Sequence, residues 1–208
     1  MTTQESYNNW ASQYDTNINN TRDLEGKALR NVLREIPFKS CLEIGCGTGK
    51  NTVWFAGKNI QLTSIDLSEE MMALARRKIN DEKVEFIQAD ITGSWTFTNK
   101  LYDLVSFSLV LEHIKDLDHI FKETAQSLRQ GGYVYIGELH PFKQYTGSKA
   151  RFETTEGIQV VECFTHHMAD FVKAAKKNGL ELVELDEYFD NDKRNEIPRI
   201  LTLLLKKV

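Results

Sequence analysis

Apolar positions along the chain fall into two alternating rhythms. Short apolar runs at 41–44, 62–65, 84–88, 103–108 and 133–139 have the length and composition of strands. Between them, apolar residues return at helical spacing over 24–36, 50–57, 68–79 and 117–128, and again over 168–178. Ser68 followed by Glu69 and Glu70 predicts a helix N-terminus, because the hydroxyl accepts from free N–H groups and the acids meet the positive dipole end. Gly131-Gly132 and Gly179 predict helix stops, while Pro37, Pro141 and Pro198 mark element boundaries. Two further strands, 180–188 and 200–206, close the chain.

Strand and helix in strict alternation predict a mostly parallel sheet covered on both faces, an α/β, Rossmann-like, doubly wound architecture. The sheet should have seven strands. The short polar link 190–198 predicts that the last two form an antiparallel hairpin at one edge. No repeat or flexible linker divides the chain, so residues 1–208 read as a single domain. Ligands of such folds bind outside the carboxyl ends of the strands, which directs attention to the loops there.

Composition narrows the choice of partner. Of the 208 residues, 41% are hydrophobic and 27% charged, the balance of a globular protein. No apolar run reaches the ~18 residues of a membrane span, and the opening MTTQESYNNW lacks the pattern of a secretory signal. No membrane association is expected. Net charge is −4, and the basic clusters Arg76-Arg77-Lys78, Lys176-Lys177 and Lys206-Lys207 are short, which argues against a nucleic-acid partner. The three cysteines, Cys41, Cys46 and Cys163, are an odd number without metal-ligand spacing. A reducing, cytoplasmic setting and no bound metal are the expectations.

The stretch Leu42-Glu43-Ile44-Gly45-Cys46-Gly47-Thr48-Gly49 carries the most chemistry. A strand runs into a glycine turn and then a helix, whose N-terminus offers free N–H groups to a ligand. The spacing Gly-x-Gly-x-Gly differs from the Gly-x-Gly-x-x-Gly that seats a dinucleotide pyrophosphate, and Glu43 suits a cation better than a phosphate. Asp66 ends the second strand about 20 residues after the loop, where an acid takes ribose hydroxyls. Asp90 ends the third strand, within reach of an adenine amino group, and Leu67 and Ile91 follow these acids as candidate walls for the ring.

Glycine loop and strand-end acids together resemble the class I S-adenosylmethionine-dependent methyltransferases of the small-molecule branch, over roughly residues 7–208. The resemblance implies S-adenosylmethionine as cofactor. It implies that Gly45, Gly47 and Gly49 line its methionine part, with Glu43 in contact directly or through water, that Asp66 binds the ribose, and that Asp90 and Ile91 hold the adenine. Segment 102–113, with Phe107, resembles the family stretch that passes the cofactor's amino group. Residues 1–36 resemble an N-terminal helical cover, from which Tyr14 would touch the cofactor and Arg22 would meet its carboxylate. Residues 140–167, in which 158–164 alternates as a strand, are expected to form a hairpin flap over the acceptor site, with Phe142, Tyr145, Phe152 and Phe164 as candidate aromatic walls. Ser106-Phe107-Ser108 stands where DNA amino-methylating relatives carry Asn or Asp followed by prolines, which argues against that activity.

Methyl transfer to oxygen, nitrogen or carbon of a small-molecule acceptor follows from this resemblance. The sequence leaves an RNA methyltransferase and a non-catalytic cofactor-binding partner subunit as alternatives, and a monomer and a homodimer equally open. An acceptor that begins protonated needs a base, and histidine serves near neutral pH. His140, at the exit of the fifth strand, is the first candidate, with His113 and His167 beside it.

Overall fold

In the computed structural model, which describes residues 1–16, 18–154 and 157–208, two helices precede the sheet. Helix α1 (Thr3–Tyr14) opens on a capping box: the Thr2 hydroxyl accepts from the Glu5 N–H, and the Glu5 carboxylate accepts from the Thr2 N–H. Helix α2 (Asn20–Val32) begins four residues earlier than its apolar pattern and ends four earlier, because the Asn19 side chain caps it at Arg22 N–H and Leu33 leaves the helical conformation.

The sheet then unfolds in chain order. It contains β1 (Ser40–Ile44), β2 (Gln61–Asp66), β3 (Val84–Gln88), β4 (Tyr102–Ser108) and β5 (Leu128–Leu139), followed by a small pair, β6 (Arg151–Thr154) and β7 (Gly157–Val160), and by β8 (Leu180–Tyr188) and β9 (Ile200–Lys207). Seven strands share one sheet in the order β3-β2-β1-β4-β5-β9-β8, while β6 and β7 pair alone as an antiparallel hairpin. Strands β1 to β5 are mutually parallel, and β9 runs antiparallel to both β5 and β8. The chain steps outward from β1 to β3 and then returns to place β4 on the other side of β1. That reversal splays the loops after β1 and β4 and opens a crevice between them.

Every residue of β1 is buried, as expected of a central strand with both faces covered. One face carries α5 (Leu117–Ser127) and α7 (Met168–Lys177), where Ile44, Phe107, Ile120, Phe121 and Phe171 form the larger core. The other face carries α2 and α3 (Lys50–Ala56), with Leu29, Leu33, Phe55 and Tyr135. Helix α4 (Glu69–Lys78) starts where its sequence predicts, with the Ser68 hydroxyl accepting from Met71 N–H. Among the described residues, no helix is long and apolar enough to cross a membrane.

Two local expectations are corrected, and one short helix has no counterpart in the sequence pattern. Gly131-Gly132 do not end α5, which stops at Ser127; the strand begins at Leu128, paired with Tyr102, and the glycines lie where the register shifts. Residues 158–164 are not one strand, since β7 ends at Val160 and the chain continues as an extended segment tied by Val161 N–H to Ala150 O and by Phe164 N–H to Glu112 O. Residues Pro141–Tyr145 form a short helix, α6, too brief to leave a periodic trace, with Pro141 in the first turn, where a missing N–H costs nothing.

Candidate active site

The crevice above β1, β2 and β4 is a cavity of about 600 Å³, a volume typical of small-ligand sites. Its floor is the glycine loop. Gly45 and Cys46 both donate to Ile65 O, at 2.7 and 2.9 Å, which fastens the loop to the end of β2. Gly45 has φ +73°, and a Cβ there would sit 2.1 Å from Val110 Cγ2, so only glycine fits between the two loops. At Gly47 a Cβ would meet nothing within 4 Å, leaving the backbone open to a ligand. Gly49 serves a different purpose. It caps α3, and its missing side chain lets Ala75 of α4 approach; it does not line the cavity.

Asp66 reaches the floor from the end of β2. Its carboxylate accepts from Gly47 N–H and from Ser68 N–H, both at 2.8 Å, and burial raises its pKa against the pull of those bonds. Leu67, Ala89, Asp90, Ile91 and Thr92 continue the wall on that side. The Asp90 carboxylate accepts from the backbone and hydroxyl of Thr92. Glu43 is placed differently. It is buried beneath the loop, where one carboxylate oxygen accepts from Thr52 and Ser64 at 2.7 Å each, and it does not line the cavity. Burial lifts its pKa to about 7. Phe107 also lies in the core rather than on the wall, although its neighbours Ser108, Leu109 and Val110 line it.

The roof comes from α1 and the hairpin. Tyr7 and Tyr14, seven residues apart, share one helix face and both reach the cavity. Trp10, between them on α1, stacks on Phe152 of β6 at 5.3 Å, joining helix to hairpin over a small core with Met71 and Val161. Arg22 does not reach this cavity: its guanidinium lies over the Tyr14 ring at 4.8 Å and donates to the Tyr14 carbonyl.

Of the three candidate bases, the structure brings His113 alone to the cavity wall. It lies on the 3-10 turn Leu111–His113 after β4. Its Nδ1 is 2.7 Å from Glu162 O, which can only accept, so Nδ1 carries the hydrogen. Nε2 then keeps its lone pair and accepts from Tyr7 Oη at 2.8 Å. Burial holds the Tyr7 phenol well above its usual pKa, so it remains a donor.

His140 is not on the cavity wall, against the expectation. Its ring is fully buried as the N-cap of α6, with Nδ1 accepting from Phe142 N–H at 3.1 Å and Nε2 facing Glu187 at 3.0 Å. Burial lowers its pKa, and its one lone pair is already used. His167 also lies off the cavity, paired with Tyr145 Oη at 2.5 Å at the start of α7.

Two groups carry no role in the sequence reading. Tyr7 is detectable only through its helical spacing to Tyr14. Glu138 of β5 is buried, with its pKa raised to about 8 by burial, and it accepts from Val110 N–H and Leu111 N–H at 2.9 and 2.8 Å, fixing the turn that bears His113. Glu25, Glu43, Glu112 and Glu138 are buried acids and Asp66 is half-buried on the cavity wall; all five have raised pKa values, foremost through desolvation. A positive ligand nearby would favour their ionised forms.

Comparison with known proteins agrees with this geometry. Residues 42–136, from β1 to β5, match the methyltransferase domain family. An uncharacterised methyltransferase of Emericella nidulans is 25% identical, covering 88% of this chain and 77% of that protein. A ubiquinone biosynthesis O-methyltransferase of Nitrosomonas europaea is 24% identical, covering 66% of this chain and 59% of that one. The N-methyltransferase NodS of Bradyrhizobium japonicum, solved with S-adenosyl-L-homocysteine, superposes with a TM-score of 0.72 at 19% identity, covering 100% of this chain and 99% of that one. Fold, glycine loop and strand-end acids are like those of class I S-adenosylmethionine-dependent methyltransferases. The protein is a methyltransferase enzyme, and S-adenosylmethionine is its cofactor.

Proposed function

We propose that the enzyme methylates an oxygen or nitrogen of a small-molecule acceptor in the cytoplasm, with His113 and Tyr7 removing the acceptor's proton. The observation that carries this reading is the 2.8 Å Tyr7–His113 hydrogen bond on the cavity wall, with its direction fixed by Glu162 O. A roof of α1 and hairpin, closed by the Trp10–Phe152 stack, favours a small acceptor over a polymer. Similarity to both an O- and an N-methyltransferase supports those two atoms. Three cysteines without disulfides suit a reducing compartment.

In this reading Gly45 and Gly47 receive the methionine part of the cofactor, Asp66 its ribose hydroxyls, and Leu67, Asp90 and Ile91 its adenine. Tyr14 covers it from the roof, while Glu43, Gly49, Arg22 and Phe107 act from behind by holding the loop and lid in shape. When bound, S-adenosylmethionine supplies a methyl group on a positively charged sulfur. The acceptor gives its proton to Tyr7 Oη as Tyr7 gives its own to His113 Nε2. The imidazolium so formed is stabilised by Glu162 O and by the Glu112 carboxylate, 3.9 Å from Nε2. Tyr7→Phe and His113→Ala should each leave S-adenosylhomocysteine affinity within about threefold by calorimetry and lower turnover roughly 10²–10⁴-fold. Full turnover in both variants, measured across a panel of phenols and amines, would exclude the relay.

A further inference from the structure

Three donor groups of different chemistry meet beside the acceptor end of the cavity. Glu112 and His113 are consecutive on the turn after β4, and Cys163 comes from the segment after β7. Two bonds tie that segment to the turn: Phe164 N–H donates to Glu112 O, and His113 Nδ1 donates to Glu162 O. His113 Nε2 lies 3.9 Å from Glu112 Oε1, and His113 Nδ1 lies 3.9 Å from Cys163 Sγ. One ligand atom from each residue falls within 4.8 Å of the others. The Glu112 side chain is 7% exposed, yet among the described residues its Oε2 has no hydrogen-bond partner of ordinary geometry, and only the Cys163 and Gln144 side chains approach the carboxyl as weak donors. A buried carboxylate oxygen left unmatched is a costly arrangement that a cation would relieve.

We propose that Glu112, His113 and Cys163 bind a single divalent ion of the zinc class. Thiolate, imidazole and carboxylate form the mixed donor set that zinc accepts, with bonds of about 2.0–2.3 Å. Tetrahedral geometry puts such ligand atoms roughly 3.3–3.7 Å apart, so the side chains need to close by about an ångström. The fourth position faces the cavity, whose wall includes His113 and Glu162. Binding releases the thiol proton to solvent and forms one metal–sulfur bond, with no change in oxidation state.

The ion would act as a brake on the proton relay. Coordination through Nε2 takes the lone pair that accepts from Tyr7. Coordination through Nδ1 moves the ring hydrogen to Nε2, which then cannot accept. Binding itself does not depend on the relay; only the inhibition rests on it.

The test uses the untagged, cofactor-free protein titrated with Co²⁺ and then Zn²⁺. One Co²⁺ per chain should bind with sulfur-to-cobalt charge-transfer absorption in the near ultraviolet, and Zn²⁺ should displace it. Cys163→Ser, with Cys163→Ala as a second variant should serine disturb the fold, should abolish the band, since Cys41 and Cys46 are buried elsewhere. Glu112→Gln should weaken Zn²⁺ binding at least tenfold in competition with a chelator. Absence of the band in the wild type, its survival in both Cys163 variants, or unchanged affinity in Glu112→Gln overturns the site. Zn²⁺ should inhibit wild-type turnover and spare Cys163→Ser. A normal band without inhibition refutes the relay and leaves the site standing.

Discussion

Replacing Glu43 by glutamine should stabilise the cofactor-free protein at alkaline pH. The residue sits in β1 under the glycine loop, fully buried, with Thr52 and Ser64 donating to one of its oxygens. Burial raises its pKa from 4.5 to about 7, with Asp66 and Glu25 adding repulsion. The protonated form therefore suits the folded state. Below pH 4.5 folded and unfolded chains both carry the proton and the residue costs nothing. As pH rises towards 7 the unfolded chain ionises first, so stability falls, and above 7 the full penalty stands. The interval between 4.5 and about 7 corresponds to about 3 kcal/mol at roughly 1.4 kcal/mol per pKa unit. Glutamine keeps an oxygen for Thr52 and Ser64 and never ionises. Glu43→Gln should then melt roughly 6–12 °C above the wild type at pH 8.5, at about 2–4 °C per kcal/mol for a chain of this size. At pH 5 the advantage should shrink below about 1 kcal/mol. Calorimetric melting across that range decides it. Equal melting temperatures at pH 8.5, or an advantage that grows as pH falls, would refute a buried carboxyl strained by ionisation.

Asp66→Ala should weaken S-adenosylhomocysteine binding by about 1.5–3 kcal/mol, read by calorimetry. It should also lower the melting temperature, because the same carboxylate receives Gly47 and Ser68. Gly45→Ala should abolish cofactor binding or folding, since its Cβ would sit 2.1 Å from Val110; an equilibrium binding titration that matches the wild type would show that the two loops are not locked together. His140→Ala should destabilise by roughly 2–4 kcal/mol in urea, as a buried ring is removed and Glu187 and Phe142 lose their partner. Turnover of its folded fraction should match the wild type, and a fall of 10² or more would return His140 to the chemistry.

Much of the sheet was legible because each strand–helix unit is a local event. The run 62–65, the acid after it and the Ser68 cap lie within a few residues of one another and specify β2, its turn and α4 together. Errors arose where pairing, not propensity, set the boundary. Nothing local tells that Leu128 pairs with Tyr102 before the chain loops through Gly131 and resumes at Tyr133 opposite Leu104. Helix α6 has five residues, shorter than two turns, so periodicity could not register it.

The two ends of the cavity differ in the same way. The side proposed for the cofactor is built from consecutive strand exits, so Gly45, Gly47, Asp66, Leu67, Asp90 and Ile91 could be picked out in order, and all of them line the cavity. The side proposed for the acceptor is assembled from segments distant in sequence. Tyr7 and His113 are 106 positions apart, and Cys163 lies a further 50 beyond. The sequence puts His140 at the exit of the fifth strand, but a position at a strand end says nothing of what occupies the lone pair. That detail separates the histidines. Phe142 N–H consumes the lone pair of His140, whereas Glu162 O takes the hydrogen of His113 and leaves its lone pair directed at Tyr7. A base must keep an accessible lone pair, so the choice between His140 and His113 rests on two backbone groups, the Phe142 N–H and the Glu162 C=O.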